Sequence, residues 1–205
     1  IRRADHRIGV EVAAQASERV QQLIWHELGP FTVFDVETTG MSPANDRIVE
    51  LAAIRVEADG TLQRFQTLIH PGRPIPAAAT AVHHISDEMV STAPRFKEAV
   101  RGFLKLAEES TLVAHNALFD LGFLQESLAR TGLPLWSGKT LDSLRLLRKT
   151  HPGLPSYSLQ SLRAYFQLPS EKGMNAHRAG ADVEWTVKVL EIALTEALRR
   201  SAPQA

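Results

Sequence analysis

The chain has 205 residues, 44% of them hydrophobic and 22% charged, with a formal net charge of +0 and a pI near 7.3. These values suit one soluble globular domain with a substantial core, and they exclude a global basic field of the kind that coats duplex DNA regardless of sequence. With no cysteine, disulfide frameworks, thiolate zinc sites and cysteine nucleophiles are excluded as well. No apolar run approaches the roughly 20 residues of a membrane span and no signal-peptide pattern opens the chain, so a cytoplasmic protein without a membrane partner is expected. Ile1 is not an initiator, so the chain reads as a trimmed or partial one.

Residues Ile1 to Arg7 are polar and arginine-rich, a loose arm in which Arg2, Arg3 and Arg7 are candidates for phosphate contact. From Gly9 to Leu28 apolar residues recur at helical spacing, in Val12, Ala16, Val20, Leu23 and Ile24, until Gly29-Pro30 stops the helix. Residues 1–29 are thus expected to form an arm and an amphipathic helix packed on a domain spanning 30–205.

The stretch FTVFDVETTG, Phe31 to Gly40, reads as a first strand that ends in two acids. Successive side chains on a strand point to opposite faces, so Asp35 and Glu37 share one face while Phe34 and Val36 share the other. Their Cα atoms would lie roughly 6.5–7 Å apart, near enough for both carboxylates to reach one cation. Without such a partner they would repel and resist ionisation. Asp46 to Val56 and Leu62 to Ile69 read as two more strands of an antiparallel meander, joined through the turn Ala58-Asp59-Gly60. Pro71 to Pro76 is a proline-rich loop. A helix follows from about Pro94 to Ala107, then a short strand at Thr111 to Ala114 and a helix from Asn116 to Arg130. One or two helices lie between Leu141 and Phe166, broken at His151-Pro152-Gly153, and a last helix runs from about Ala181 to Arg200. A meander followed by alternating helix and strand gives an α/β fold, a mixed sheet flanked by helices.

Two later segments repeat the pattern of an acid just beyond an apolar element. HNALFD places Asp120 in the first turns of a helix for which Asn116 is the expected N-cap, with Phe119, Phe123 and Leu124 on the buried face. NAHRAGADV places His177 in a loop and Asp182 near the start of the last helix. Taken singly, such an Asp is a cap or a surface charge, and such a His a hydrogen-bonded loop residue. Taken together, Asp35, Glu37, Asp120 and Asp182 form an all-oxygen donor set suited to Mg²⁺ or Mn²⁺ rather than Zn²⁺. Two such ions can clamp the attacking and leaving oxygens of a phosphodiester, and His177, with a pKa near neutrality, suits the base that takes a proton from the attacking water.

FDVETTG, HNALFD and HRAGAD, in that order, resemble the three motifs of the DEDDh branch of the DnaQ-like 3′–5′ exonucleases. The resemblance covers roughly Phe31 to Leu198, and the ordered triple is far more specific than any one motif. It implies a ribonuclease H-like fold, two divalent metal ions, and release of nucleoside 5′-monophosphates from the 3′ end of DNA. It implies a proofreading or repair role, with a DNA polymerase or another replication or repair protein as partner. By the same resemblance, Asp35, Glu37 and Asp182 hold the first metal, Asp35 and Asp120 the second, and His177 is the general base. Thr38, Gly40 and Met41 match positions lining the terminal-nucleotide pocket, Val82 and His83 match residues against the 3′-terminal sugar and base, and Phe119 matches a base-stacking wedge. His84 departs from the pattern, standing where relatives commonly have glycine. The same motifs also occur in exoribonucleases, and a catalytically idle nucleic-acid-binding module is the alternative from another class.

Other signals have plainer readings. GLPLWSGKT, Gly132 to Thr140, has five residues between its glycines where a phosphate-binding loop has four, and it follows a helix instead of a strand. LQSLRAYF resembles a clamp-binding peptide, but Leu159, Leu162 and Phe166 have the spacing of a core-facing helix. Arg145, Arg148 and Lys149 read as a solvated helix face.

Overall fold

In the computed structural model, residues 24–168 and 178–201 are described. The first of them, 24–28, are helical, with Ile24 and Trp25 buried and the Trp25 ring edge-on to Phe31 at 5.9 Å. The rest of the expected N-terminal arm and helix lies outside the described residues. Next come β1 (Phe31–Thr38), β2 (Ile48–Val56) and β3 (Leu62–Leu68), paired antiparallel as a meander. Two short helices, α1 (Ala77–His83) and α2 (Asp87–Val90), lead to α3 (Phe96–Ala107). Then β4 (Thr111–Ala114), α4 (Ala117–Arg130), β5 (Thr140–Asp142), α5 (Ser143–Thr150), α6 (Leu159–Tyr165) and α7 (Ala179–Ser201) follow. β4 and β5 join the sheet in parallel, giving the order β3-β2-β1-β4-β5 with β1 at the centre.

The strand alternation decides what each layer holds. Phe34 and Val36 face one cluster with Phe103 of α3 and Phe123 and Leu124 of α4. Val33, Ala52 and Ile54 face the other, with Val183, Val187 and Leu190 of α7. Asp35 and Glu37 have the parity of Val33, so they look toward the helix that carries Asp182. β2 is buried along nearly its whole length because an interior strand is covered on both faces.

Several expectations are corrected in detail. The strand expected from Asp46 begins at Ile48, because Asp46 is spent in a turn, accepting from the Ser42 N–H at 2.9 Å. Asn116 does stand at the N-cap position of α4, but its backbone is left-handed (φ 71°) and its side chain makes no capping bond. Two residues separate β4 from α4, and Asn tolerates the left-handed region that so tight a turn demands. The Asn116 N–H donates to Asp142 Oδ1 at 3.2 Å. Strand β5 was not anticipated, since three residues carry no readable alternation. Leu162 is fully buried with Leu159 and Phe166 packed around it, which makes α6 a core helix.

Because Phe123 anchors α4 against β1, Phe123→Ala is expected to cost about 3–5 kcal/mol in urea unfolding. Leu118→Ala, one turn away on the same helix but 85% exposed, should be close to neutral in that measurement.

Candidate active site

Strand β1 delivers the first two acids as its alternation dictates, and α7 delivers the third from its first turn. One ligand oxygen from each of Asp35, Glu37 and Asp182 lies within 4.8 Å of the others, a spacing able to hold one metal ion. Asp120 approaches from α4. It is 3% exposed and its Oδ1 accepts the Val36 N–H at 3.1 Å, so the acid is tied to β1 between Asp35 and Glu37. Asp120 does not belong to the group of three, but its charge bears directly on Asp35.

The electrostatics show what this packing lacks. Burial and then the charges of Asp120, Asp182 and Glu37 push Asp35 well above the usual carboxylate range. Burial, followed by Asp182 and Glu50, pushes Glu37 up to about 8. Asp120 is pushed up to about 7 by burial, against the lowering effect of the Val36 N–H. Burial and mutual repulsion oppose ionising these carboxylates together, a cost that a hard divalent cation would relieve, and the all-oxygen donor set fits such an ion.

A further acid, Glu50, is not one that sequence reasoning singled out. It pairs directly with Glu37 across the β1–β2 ladder and is 1% exposed. Arg178 Nη2 donates to its Oε1 at 2.7 Å and Arg178 Nε to its Oε2 at 3.1 Å. Gln66 Nε2 adds a bond to Oε1 at 2.9 Å, and the Ala179 N–H, at the start of α7, one to Oε2 at 3.1 Å. Gly180 permits the approach, since a Cβ there would stand 2.8 Å from Gln66 Oε1. Burial alone would raise Glu50, but the bonds from Arg178 and Gln66 outweigh it and hold the group below its ordinary value. Glu50 therefore stays ionised and binds the start of α7 to the sheet, which fixes where Asp182 meets Asp35 and Glu37. The signal was present in IVELAAIRV, where a lone acid inside a buried apolar strand requires a partner.

Of the residues matched to a nucleotide pocket, Thr38 is buried and its hydroxyl donates to the Gly40 carbonyl at 2.6 Å. A Cβ at Gly40 would stand 2.5 Å from Asp46 Oδ2, so a side chain there would displace that carboxylate from the Ser42 N–H. Met41 and Val82 are apolar yet 80% and 50% exposed. His83 is buried, and its Nδ1 accepts the Ile85 N–H at 3.0 Å, which places the proton of the neutral ring on Nε2. That Nε2 makes no well-formed hydrogen bond, although the Thr38 backbone acts on it, and burial lowers the imidazole pKa. His84 takes the left-handed C-cap of α1 (φ 61°), the conformation for which glycine is the usual choice. Phe119 is half-buried, with its ring 4.9 Å from that of Phe123. Leu118 beside it is 85% exposed. His177 lies outside the described residues.

Two measurements follow from this charge arrangement. The raised acids make the folded chain bind more protons than the unfolded one between about pH 4 and pH 8, so metal-free stability should fall as pH rises through that window. Mn²⁺ should reverse the fall in thermal melts at pH 8, and Asp35→Asn should remove most of the Mn²⁺ effect. Glu50→Gln, which leaves Arg178 without its counter-charge, should cost about 3 kcal/mol in chemical unfolding and weaken the Mn²⁺ response by displacing Asp182.

Comparison with known proteins gives a consistent picture. A family model described as an exonuclease matches residues 32–190. The DNA polymerase III epsilon subunit of Treponema pallidum (strain Nichols) is 40% identical over 159 residues, covering 77% of this chain and 73% of that protein. The PolC-type DNA polymerase III of Caldanaerobacter subterraneus subsp. tengcongensis is 35% identical over 161 residues, which cover 78% of this chain but only 11% of the polymerase. Among solved structures, Exonuclease X in complex with 5′-overhanging duplex DNA superposes with a TM-score of 0.61 at 27% identity, covering 85% of this chain and 94% of the other. Exonuclease I of E. coli with a dT13 oligonucleotide, at 20% identity and a TM-score of 0.73, shares the fold. The ordered motifs, the converging acids and these matches agree that the chain belongs to the DnaQ-like exonuclease family.

Proposed function

We propose that this chain is a metal-dependent 3′–5′ exonuclease that hydrolyses phosphodiester bonds at single-stranded or frayed 3′ ends of DNA and releases nucleoside 5′-monophosphates. The observation that carries the reading is the convergence of Asp35, Glu37 and Asp182 within 4.8 Å, with buried Asp120 acting on Asp35 from the opposite helix layer. A module that only bound nucleic acid would gain nothing from packing four acids against one another at the mouth of a strand that faces an anionic ligand.

Two Mg²⁺ or Mn²⁺ ions would be held here, one by Asp35, Glu37 and Asp182 and the other by Asp35 and Asp120. Their chemistry is to neutralise the phosphate charge and stabilise the attacking and leaving oxygens. The remaining work falls to the chain. His177 takes the proton from the attacking water. Met41 and Val82 offer apolar contact to the terminal nucleotide, Phe119 a ring face, and the His83 Nε2–H a donor to its sugar. The Glu50–Arg178 pair keeps α7 seated while Asp182 changes its charge partners.

The relatives' names supply the context. Two are polymerase III chains, so a proofreading or repair role in the cytoplasm beside a DNA polymerase is part of the proposal. Exonuclease X is seen with DNA, which favours DNA over RNA. The catalytic unit is taken as residues 30–205, with Ile24 and Trp25 packed on it.

The test is a nuclease assay on matched 5′-labelled single-stranded DNA and RNA with Mg²⁺, Mn²⁺ or chelator. DNA should shorten stepwise from its 3′ end, chelator and Asp35→Ala should each abolish this, and His83→Ala should raise KM roughly 10-fold while sparing kcat. Faster shortening of RNA would move the substrate to RNA. No shortening with either metal would overturn the reading.

A further inference from the structure

The chain is neutral overall, yet its cations are not evenly spread. A cavity of about 230 Å³ opens beside the start of β2, and Arg47, Arg95, Lys97 and Arg130 line it with no acid among the described lining residues. Ile69 and Phe96 contribute apolar wall. Burial, then the charges of Arg130 and Arg73, push the Arg47 guanidinium below its ordinary pKa, the mark of cations crowded with too little counter-charge. Arg47 and Arg130, with Arg73 from outside the cavity lining, also clasp one loop. Arg130 Nη2 donates to the Pro43 and Ala44 carbonyls at 3.0 Å each, Arg73 Nη1 to Asn45 at 2.6 Å, and Arg47 Nη1 to Asn45 and Asp46 at 2.9 and 2.8 Å. Glu126 takes one contact from Arg130, at 3.2 Å. Arg95 and Lys97 are exposed and form no ion pair among the described residues.

The clasped loop connects this cavity to the acids. The Thr39 N–H donates to the Arg47 carbonyl at 2.8 Å and the Arg47 N–H to Thr39 Oγ1 at 3.0 Å, two residues beyond Glu37. Gly40 and Met41 lie on the acid side of the loop in sequence, and Arg47 on the cavity side. Residues 42–46 are thus the stretch that joins the positions matched to the terminal nucleotide, Gly40 and Met41, to the cavity at Arg47.

We infer that the cavity is a second nucleic-acid subsite, which takes phosphodiester groups of the substrate strand upstream of its 3′ end, with Arg95 and Lys97 as the cations still free to bind them. This rests on the nuclease reading of the acids. Arginine forks match phosphate oxygens, lysine adds a point charge, and Phe96 supplies the ring on which one base can rest. A local cluster of this size gives a few phosphate contacts without the strong field that would prevent release.

The test is fluorescence anisotropy of labelled single strands of 2 to about 12 nucleotides, in chelator to prevent cleavage, across a salt series. Arg95→Gln with Lys97→Gln is expected to weaken the longer strands on the order of 10-fold at 0.1 M salt and to lower the salt slope by about 1.4, at about 0.7 per lost single-strand contact. The dinucleotide should bind the variant as it binds the parent. Lys97→Glu alone puts a negative charge in the first turn of α3, where the helix dipole favours it, so it should lose strand binding with an unchanged melting temperature. An unchanged affinity and slope for the long strand would overturn the subsite. So would a mononucleotide that binds the cavity as tightly as the strand does. The Mn²⁺ melting response reports on the acids separately: its absence in the parent would remove the nuclease reading, and its presence with unchanged strand binding would remove only the subsite.

Discussion

Four carboxylates held in a space that cannot ionise them all is the constraint on which the rest of the structure depends. Asp35, Glu37, Asp120 and Asp182 come from three separate elements; burial and the charges of the other three raise Asp35, and the charge of Asp182 also raises Glu37 and Asp120. Such an arrangement opposes folding in the absence of a cation, so the surrounding structure must hold it together. The two apolar clusters on either face of β1 do much of this, by fixing α4 and α7 on the strand between them.

Polar contacts do the rest, and each is satisfied at a specific place. The Val36 N–H takes Asp120 into the strand, and Glu50 uses both oxygens to hold Arg178, Gln66 and the first N–H of α7. Glu37 and Glu50 are ladder neighbours with opposite fates. Glu50 bonds the Arg178 guanidinium directly and is held below its ordinary value, while at Glu37 burial and the charges of Asp182, Glu50 and Asp120 outweigh the pull of Arg178 and push it up to about 8. The same sheet position thus carries one acid for structure and one suited to a cation, and the partner supplied from α7 makes the difference.

How much of this could be read from the chain depends on the length scale of each signal. Alternation in FTVFDVET placed Asp35 and Glu37 on one face, and TLVA marked β4 to the residue. The helical period of the HNALFD and HRAGAD segments put Asp120 and Asp182 in first turns. What escaped notice was set by tertiary contact. β5 exists because three residues complete a parallel edge beside β4, and Asn116 is left-handed because the turn before α4 is short. The Glu50–Arg178 pair joins residues 128 apart in sequence, so only the oddity of a buried acid in β2 hinted at it. The cationic cavity draws on β2, the loop after β3, α3 and α4, and a neutral total charge conceals it.

The central claim is that these acids form a paired-metal cage, and counting the ions tests it most directly. Mn²⁺ titrated into the metal-free chain and followed by electron paramagnetic resonance should show two bound ions per chain. Asp120→Asn should leave one, and Asp35→Asn, which removes the ligand common to both, should leave none that binds tightly. Two ions retained in Asp35→Asn, or none in the parent chain, would contradict the account.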